Sequence, residues 1–223
     1  MLADHFEEAD RRGRPGHGVA RIQWLRTLEL DVAAQPRRLA AEPCYERWDG
    51  EGALGYLTLA RIVDAQLAEP PERARLVVAS RCFPTGFLGY WVRRLADGGL
   101  AAVLTATSPR RLASPDGGPA LAGTNPLAVG VPSSDGRPLV ADVSMGKVTH
   151  GDVLTGAADA ADLVPFGDEQ AHKAFALAVG LQLLVGALAG EEHGALLLTA
   201  RPEHDPVPAL RDLAGSIRLP GDR

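Results

Sequence analysis

The stretch from Gly123 to Lys147, GTNPLAVGVPSSDGRPLVADVSMGK, contains the clearest structural pattern in the chain. Two short apolar runs, residues 127–131 and 139–143, are separated by the turn sequence SSDGRP. Apolar runs joined by turn residues predict a β-hairpin. Polar side chains stand at both ends of this hairpin: Thr124, Asn125, Asp142, Ser144 and Lys147. The hairpin is therefore a candidate wall of a ligand site.

Helical and strand-like patterns alternate on both sides of the hairpin. Apolar periodicity and terminal Gly or Pro residues predict helices at residues 2–12, 19–28, 53–69, 87–96, 170–189 and 209–216. Shorter apolar runs predict strands at residues 76–79, 100–106 and 195–199. Pro, Gly and polar residues predict irregular connections at residues 31–52, 107–122 and 148–169. Alternating strands and helices indicate an α/β protein with a mixed sheet and flanking helices.

Composition narrows the classes of function. A length of 223 residues favours one compact unit, residues 1–223. A net charge of −5 argues against a nucleic-acid-binding surface. The most apolar stretch, residues 174–190, is short for a membrane span and is interrupted by Gln182 and glycines, so it predicts a buried core helix.

The cysteines and the N-terminus suggest a cytoplasmic setting. Cys44 and Cys82 do not make a disulfide framework, and no His/Cys cluster has metal-ligand spacing, so no metal site is expected. The first residues, MLADHFEEADRRG, are acidic and amphipathic and do not read as a signal peptide.

His17 is the strongest catalytic candidate. It follows the break Gly13-Arg14-Pro15-Gly16 at the start of a predicted helix, and Arg21 lies four residues later, where it can share a face with His17. An imidazole titrates near neutrality and can exchange protons in either direction. The alternatives are a histidine that only caps or packs, and an arginine that is only solvated.

Six segments, in order along the chain, resemble the type-2 malate/L-lactate dehydrogenase family, which includes ureidoglycolate dehydrogenase, 2,3-diketogulonate reductase and Δ1-piperideine-2-carboxylate reductase. Each segment alone is a weak signal, but their common order indicates shared ancestry. The segments are Ala9 to Arg21 (ADRRGRPGHGVAR), Gly86 to Leu100, Ser108 to Pro126, Val140 to Lys147, Leu163 to Gly190, and Leu219 to Arg223 (LPGDR).

The resemblance implies a fold that binds NADH or NADPH but is not a Rossmann fold. It also implies a homodimer, since members of the family are usually homodimers. It implies that residues 1–70 with 200–223 form a helical substrate side, and that residues 71–199 form a cofactor side containing the sheet. It assigns the general acid/base role to His17 and the grip on a substrate carboxylate to Arg21, with Arg12 as a second candidate. Asp142 could orient the imidazole. The candidate cofactor contacts are Thr124, Asn125, Asp142, Ser144, His172, Lys173 and Asp222.

The chain departs from the family pattern in parts that line the cofactor site. Gly16 stands where the family has Ser, the loop at residues 81–86 has Pro84 in place of a histidine, and residues 144–146 read Ser-Met-Gly. The leading expectation is an NAD(P)H-dependent reductase of a small 2-oxo acid or a cyclic 2-imino acid, in a specialised pathway such as secondary metabolism. Two alternatives stay open: a cofactor-free enzyme that uses His17 as acid/base, and a non-catalytic partner subunit.

Overall fold

A seven-stranded mixed sheet forms the centre of the computed structural model, which describes residues 2–222. A separate two-stranded sheet lies beside it. The strands are β1 (Arg37–Glu42), β2 (Tyr45–Asp49), β3 (Ala74–Ser80), β4 (Ala101–Ala106), β5 (Leu112–Ser114), β6 (Gly117–Ala122), β7 (Leu127–Val131), β8 (Leu139–Val143) and β9 (Ala195–Ala200).

Helices flank the sheet on both faces. Three single-turn 3₁₀ helices interrupt the connections, at Pro15–His17, Ala160–Asp162 and Asp168–Gln170. The α-helices are α1 (Leu2–Arg11), α2 (Arg21–Leu25), α3 (Gly55–Ala68), α4 (Leu88–Asp97), α5 (His150–Leu154), α6 (Ala171–Ala189) and α7 (Val207–Ala214).

The strand order in the large sheet is β1-β2-β3-β9-β4-β7-β8. Only β2 and β3 pair in parallel; the other neighbours are antiparallel. The mixed α/β class expected from the sequence is therefore confirmed. The hairpin of β7 and β8 has the predicted bounds, with Leu127 opposite Val143 and Val131 opposite Leu139. Strands β1 and β2, from the first 70 residues, belong to the same sheet as the later strands.

The main core lies between the sheet and helices α3 and α4. Trp91 of α4 and Tyr56 of α3 are fully buried there, together with Leu104 of β4. Gly130 of β7 lets α4 approach the strand closely, because a Cβ at this position would lie 2.5 Å from the Val92 carbonyl oxygen. This contact places α4 against β7 and β8.

Helix α6 covers the other face of the sheet, and the prediction that it is a buried core helix was wrong. Val185 and Ala189 pack on the strands with Val78 and Leu196. The opposite side of the helix exposes Leu177, Leu183, Leu184 and Leu188. A helix that is apolar all round gives no periodic signal for the buried side. Residues 168–189 are long and apolar enough to span a membrane by length and composition, although one side packs on the sheet.

The prediction that residues 31–52 are irregular was also wrong, because this segment contains β1 and β2. Glu46 points into the core from β2 and is fully buried. It accepts hydrogen bonds from Arg38 (2.7 Å), Trp48 (2.9 Å) and Gln66 (3.0 Å). A buried charge breaks the apolar alternation by which a strand is recognised, and its partners come from three different elements, β1, β2 and α3.

Three further segments differ from the prediction. Residues 107–122 contain the small sheet of β5 and β6, and residues 148–169 contain α5. The helix expected at residues 19–28 is only the five-residue α2, preceded by the 3₁₀ turn that carries His17. Short elements of this kind depend on tertiary contacts more than on their own periodicity.

Candidate active site

A cleft lies between the 3₁₀ turn with His17, the start of α4, and the ends of the β7–β8 hairpin. Its cavity volume is about 80 Å³. Of the residues proposed from the sequence, the cleft brings together His17, Arg21, Thr124, Asp142 and Ser144. Segments distant in sequence therefore meet at one place, as the chemistry of an active site requires.

Two glycines in contact set the position of His17. A Cβ on Gly16 would lie 2.7 Å from the carbonyl carbon of Gly151, and a Cβ on Gly151 would lie 2.2 Å from the Gly16 carbonyl oxygen. Real Cβ atoms do not approach other atoms this closely, so α5 can pack on the 3₁₀ turn only while both residues lack side chains. This contact requires a glycine immediately before His17.

His17 is held in its neutral form. Burial lowers its pKa from 6.5 to about 3, and the positive charges of Arg21 and Arg14 and the nearby His5 act in the same direction. The imidazole is therefore neutral at pH 7, and its buried Nδ1 is left without a hydrogen-bond partner among the described residues.

Arg21 is a nearly buried cation in the same cleft. It is 8% exposed, donates from Nη1 to the Gly16 carbonyl oxygen at 3.2 Å, and lies 4.3 Å from the ring centre of Trp24. Burial lowers its pKa, while Tyr56 and Asp152 act in the opposite direction. Its Nε–H has no acceptor within residues 2–222. An arginine buried without a paired carboxylate is the arrangement expected where a substrate anion binds.

Asp142 joins β8 to the start of α4. Its carboxylate accepts a hydrogen bond from the Gly89 backbone N–H at 2.9 Å and lies 3.5 Å from Nη1 of Arg14. Burial raises its pKa, and the Gly89 bond and Arg14 partly oppose this shift. In the described part of the chain it makes no hydrogen bond to His17. Asp142 therefore anchors α4 and Arg14 in this structure.

The Gly-Thr-Asn-Pro turn divides between the cleft and the core. The hydroxyls of Thr124 and Ser108 lie 3.5 Å apart at the cleft wall. Asn125 is fully buried and donates from Nδ2 to the carbonyl oxygen of Ala178 at 2.9 Å and to the side-chain oxygen of Gln182 at 3.1 Å. Asn125 thus fastens the turn to α6, and Thr124 is the member that faces the cleft.

Four other proposed residues lie outside the lining of the cleft. Arg12 bonds to Glu8 and, at 3.1 Å, to the carbonyl oxygen of Gly221. Asp222 accepts from Arg211 at 2.9 Å. The side chains that remain, His172 and Lys173, are exposed at the start of α6. Any contact of these residues with a cofactor requires a part of the cofactor that extends beyond the cleft.

The cleft also contains three residues that the sequence did not single out: Arg14, Arg111 and His150. Burial lowers the pKa of His150 to about 4, and Arg111 and Arg21 add to the effect. A sequence signal for His150 does exist. Thr149 and Asp152 form a capping box, and a Thr-x-x-Asp pattern predicts a helix that begins at His150. No local pattern distinguishes Arg14 or Arg111 from the other arginines.

Known structures share this architecture. A dehydrogenase from Sinorhizobium meliloti superposes with a TM-score of 0.82 at 24% identity, covering 99% of this chain and 81% of that one. The Δ1-piperideine-2-carboxylate reductase from Pseudomonas syringae gives a TM-score of 0.82 at 23% identity, covering 99% of this chain and 83% of that one. The fold is thus one used by dehydrogenases and reductases.

Sequence comparison gives the family. Residues 1–163 match the malate/L-lactate dehydrogenase family profile, and the chain belongs to that family. It is 29% identical over 217 residues to a (2R)-3-sulfolactate dehydrogenase (NADP(+)) from Chromohalobacter salexigens, covering 84% of this chain. It is 29% identical over 218 residues to a Δ1-pyrroline-2-carboxylate reductase from Pseudomonas fluorescens, covering 85% of this chain. The matched region covers 64% of the length of each of these two relatives.

Proposed function

We propose that this chain is an NAD(P)H-dependent oxidoreductase of the cytoplasm that reduces a small 2-oxo acid or a cyclic 2-imino acid. The observation that carries the proposal is one cleft in which a neutral, half-buried imidazole, His17, and a buried arginine without a carboxylate partner among the described residues, Arg21, face the same space. The family relatives whose names specify small-acid substrates support the same class of reaction.

Arg21 has the properties of a carboxylate-binding residue. Its guanidinium can donate two parallel hydrogen bonds to a carboxylate, which fixes both the position and the plane of the substrate. The Trp24 ring on one side and the bond to Gly16 hold this guanidinium in place before substrate binds. A substrate held in this way presents its reacting carbon at a defined position near His17, which contributes to rate through orientation.

His17 exchanges the proton at the substrate oxygen or nitrogen. With a pKa of about 3, the imidazole is neutral at pH 7 and is ready to accept a proton from a 2-hydroxy acid in the oxidation direction. In the reduction direction it must hold a proton. The charge of a bound carboxylate opposes the repulsion from Arg21 and Arg14, which is the smaller cause of the lowered His17 pKa beside burial, and so favours the protonated imidazole.

The donor set around the cleft fits an anionic dinucleotide. Thr124, Ser144 and Ser108 present hydroxyls and Arg14 presents a cation at the cleft wall. We propose that these residues hold the cofactor, which supplies or accepts the hydride. Asn125 then acts by fixing the turn that carries Thr124. The cavity volume of about 80 Å³ suits a small acid, so we place the cofactor along the open part of the cleft.

That small volume favours a second candidate function. The same site could bind a small acid without a nicotinamide and use His17 as acid/base for an isomerisation, cyclisation or elimination. The exposed position of His172 and Lys173, away from the cleft lining, agrees with this alternative. The two functions make opposite predictions for cofactor binding.

Titration with NADH and with NADPH, followed by fluorescence or calorimetry, separates the two functions. No binding at millimolar cofactor would rule out the reductase. If cofactor binds, His17→Ala should abolish turnover and retain cofactor binding, while His204→Ala, a change at an exposed histidine, should alter neither. Turnover retained by His17→Ala would remove His17 from the mechanism. Activity that is lost in His17→Ala without any cofactor binding would establish the second function.

We also propose that the chain forms a homodimer through α6. The exposed leucines on this helix include Leu183 (67% exposed) and Leu184 (50%), and burial of such a face between two copies is favourable. Sedimentation of Leu183→Glu should show a shift to monomer. The control is Leu213→Glu on α7, because Leu213 is also exposed (84%). A wild-type monomer at micromolar concentration would contradict the proposal.

A further inference from the structure

A row of four rings bounds the cleft beside Arg21. The Arg21 guanidinium lies 4.3 Å from the centre of the Trp24 ring. The Trp24 ring makes edge contacts with His150, at 5.8 Å between ring centres, and with Phe83, at 6.2 Å. Phe83 in turn packs against His193 at 4.9 Å. This aromatic row runs from His150, which lines the cleft, to His193, which lines a different space.

That different space is a second cavity of about 380 Å³ at the His193 end of the aromatic row. Its apolar lining includes Leu28, Leu30 and Ala53. Among the described residues, Phe83 alone lines both this cavity and the cleft. The Phe83 ring therefore stands between the two spaces, and its removal would join them.

The backbone around Phe83 is held on both sides. The Phe83 carbonyl oxygen accepts a hydrogen bond from the Gly55 N–H at 3.3 Å, and the Cys82 N–H donates to the His193 carbonyl oxygen at 2.8 Å. A Cβ on Gly55 would lie 2.6 Å from the Phe83 nitrogen, so α3 can approach this loop only with a glycine there. With its backbone fixed, the ring could clear the passage only by rotating away from Trp24 and His193, which would lose both ring contacts.

The second cavity differs from the cleft in charge. The cleft lining has more arginines than carboxylates, whereas Glu29, Glu191 and Glu192 line the second cavity. The arginine of this cavity, Arg81, is already paired with Asp49 at 2.7 Å. The second cavity therefore attracts a positive group and repels a carboxylate.

We propose that Phe83 is a specificity-determining residue that limits the length of the substrate. An acid whose carboxylate is held by Arg21 lies beside the aromatic row, because Trp24 forms one face of the Arg21 site. A short acid fits within the cleft, and a longer chain meets the Phe83 ring before it reaches the second cavity. This role of Phe83 rests on the proposed function, through the carboxylate held by Arg21, and is measurable without any cofactor.

The test measures the binding of acetate, butyrate, hexanoate and octanoate to cofactor-free protein by calorimetry. In the wild type, affinity should stop rising with chain length once the acid fills the cleft. In Phe83→Ala, octanoate should bind about tenfold or more tightly than in the wild type and acetate within about twofold of it, because each additional methylene that leaves water is worth roughly fourfold in affinity. Phe83→Leu keeps an apolar side chain and the fold, and should show a smaller gain in the same direction.

The charge of the second cavity gives an independent measurement of where the long chain goes. The gain in affinity from Phe83→Ala should be larger for 8-aminooctanoate than for octanoate. It should be smallest for suberate, whose far carboxylate would meet Glu191 and Glu192. Equal gains for the three acids would mean that the chain does not enter the second cavity, and would overturn the proposal.

Phe166→Ala is the matched control, because Phe166 is 38% exposed and lines neither cavity. This variant should keep the wild-type dependence on chain length. The proposal is overturned if affinity in the wild type already rises through octanoate by roughly fourfold per methylene. It is also overturned if Phe83→Ala changes the affinity for all four acids by the same factor, since Phe83 would then only support the cleft.

The length limit and the reductase can fail separately. A chain-length dependence that changes in Phe83→Ala, in a protein that binds neither NADH nor NADPH, would support the length limit and remove the reductase. NADPH-dependent turnover in which Phe83→Ala leaves the ratio of kcat/KM for 2-oxooctanoate and pyruvate unchanged would overturn the length limit and keep the reductase. If none of the acids binds to either protein, Arg21 is not a carboxylate anchor, and the length limit is overturned with it.

Discussion

His5 should make the protein sensitive to mild acid, and replacing it by Leu should reduce that sensitivity. The side chain is fully buried and is surrounded by five aromatic rings, whose centres lie 4.8 to 5.6 Å from its own. Neither ring nitrogen has a hydrogen-bond partner of good geometry, although the Phe87 backbone lies near enough to favour the charged form slightly. Burial is the larger effect and lowers the His5 pKa from 6.5 to about 4.

The size of the effect follows from these two pKa values. The folded protein resists protonation of His5 and the unfolded chain does not, so the stabilising contribution is complete above about pH 6.5 and is lost as the pH falls towards 4. For a single site, the loss relative to pH 7.5 is about 2 kcal/mol at pH 5 and about 3 kcal/mol at pH 4. Leu has a similar volume and does not titrate, so this part of the loss should be absent in His5→Leu.

Urea unfolding at pH 7.5 and pH 5, followed by tryptophan fluorescence, measures the difference. The wild type should lose about 2 kcal/mol more than His5→Leu between the two pH values. An exposed histidine gives the control, and His204→Leu should behave like the wild type. Equal losses in the wild type and His5→Leu would refute the reasoning, because His5 would then not be held neutral by burial. Exposed carboxylates contribute equally to both proteins and cancel in the comparison, whereas His17, whose pKa His5 also lowers, adds a difference in the same direction.

Three other substitutions test the packing around the cleft and the sheet by urea unfolding. Gly151→Ala should lower the free energy of unfolding by about 1–3 kcal/mol and weaken ligand binding, because its Cβ collides with Gly16. The control is Gly180→Ala on α6, where the added Cβ meets open space and should raise the free energy of unfolding by about 0.5–1 kcal/mol. Glu46→Ala should cost about 3–5 kcal/mol because it removes the buried carboxylate that pairs with Arg75 and Arg38; a loss below 1 kcal/mol would contradict this. Asn125→Ala should cost about 1–3 kcal/mol by leaving buried polar groups of the turn and α6 unpaired, and unchanged stability would exclude its anchoring role.

Local sequence patterns were sufficient to predict a helix or strand that has its own apolar periodicity and its own terminating residues. The hairpin of β7 and β8 was predicted with its observed bounds, and α3, α4 and α6 within one or two residues. Local patterns failed to predict elements whose structure depends on contacts with other elements. Strand β2 depends on Arg38 and Arg75 to accommodate Glu46, and the five-residue α5 is packed against Gly16. Arg75 and Gly16 lie far from these elements in sequence, and Arg38 belongs to another strand, so none of them leaves a signal within the element itself.

The residues of the candidate site were predicted only in part, because some of them are recognisable only from their tertiary contacts. His17 and Arg21 were found from a short motif, and both line the cleft. Arg111 was not, because an arginine after a Ser-Pro turn is indistinguishable in sequence from a solvated one. Its position beside Arg21 and His150 becomes apparent only when the 107–122 segment folds as β5 and β6 next to the hairpin.

The sequence by itself determined the family, the mixed α/β class, the β7–β8 hairpin and the His17–Arg21 pair, since these depend on residue spacing and on local turn chemistry. The tertiary structure alone decided which polar residues share a space. It placed Asn125 in the core and Thr124 at the cleft, although they are adjacent in the chain, because successive residues of a turn point in different directions. It also decided protonation, because the neutral state of His17 results from burial and from arginines that converge on it only in the folded chain.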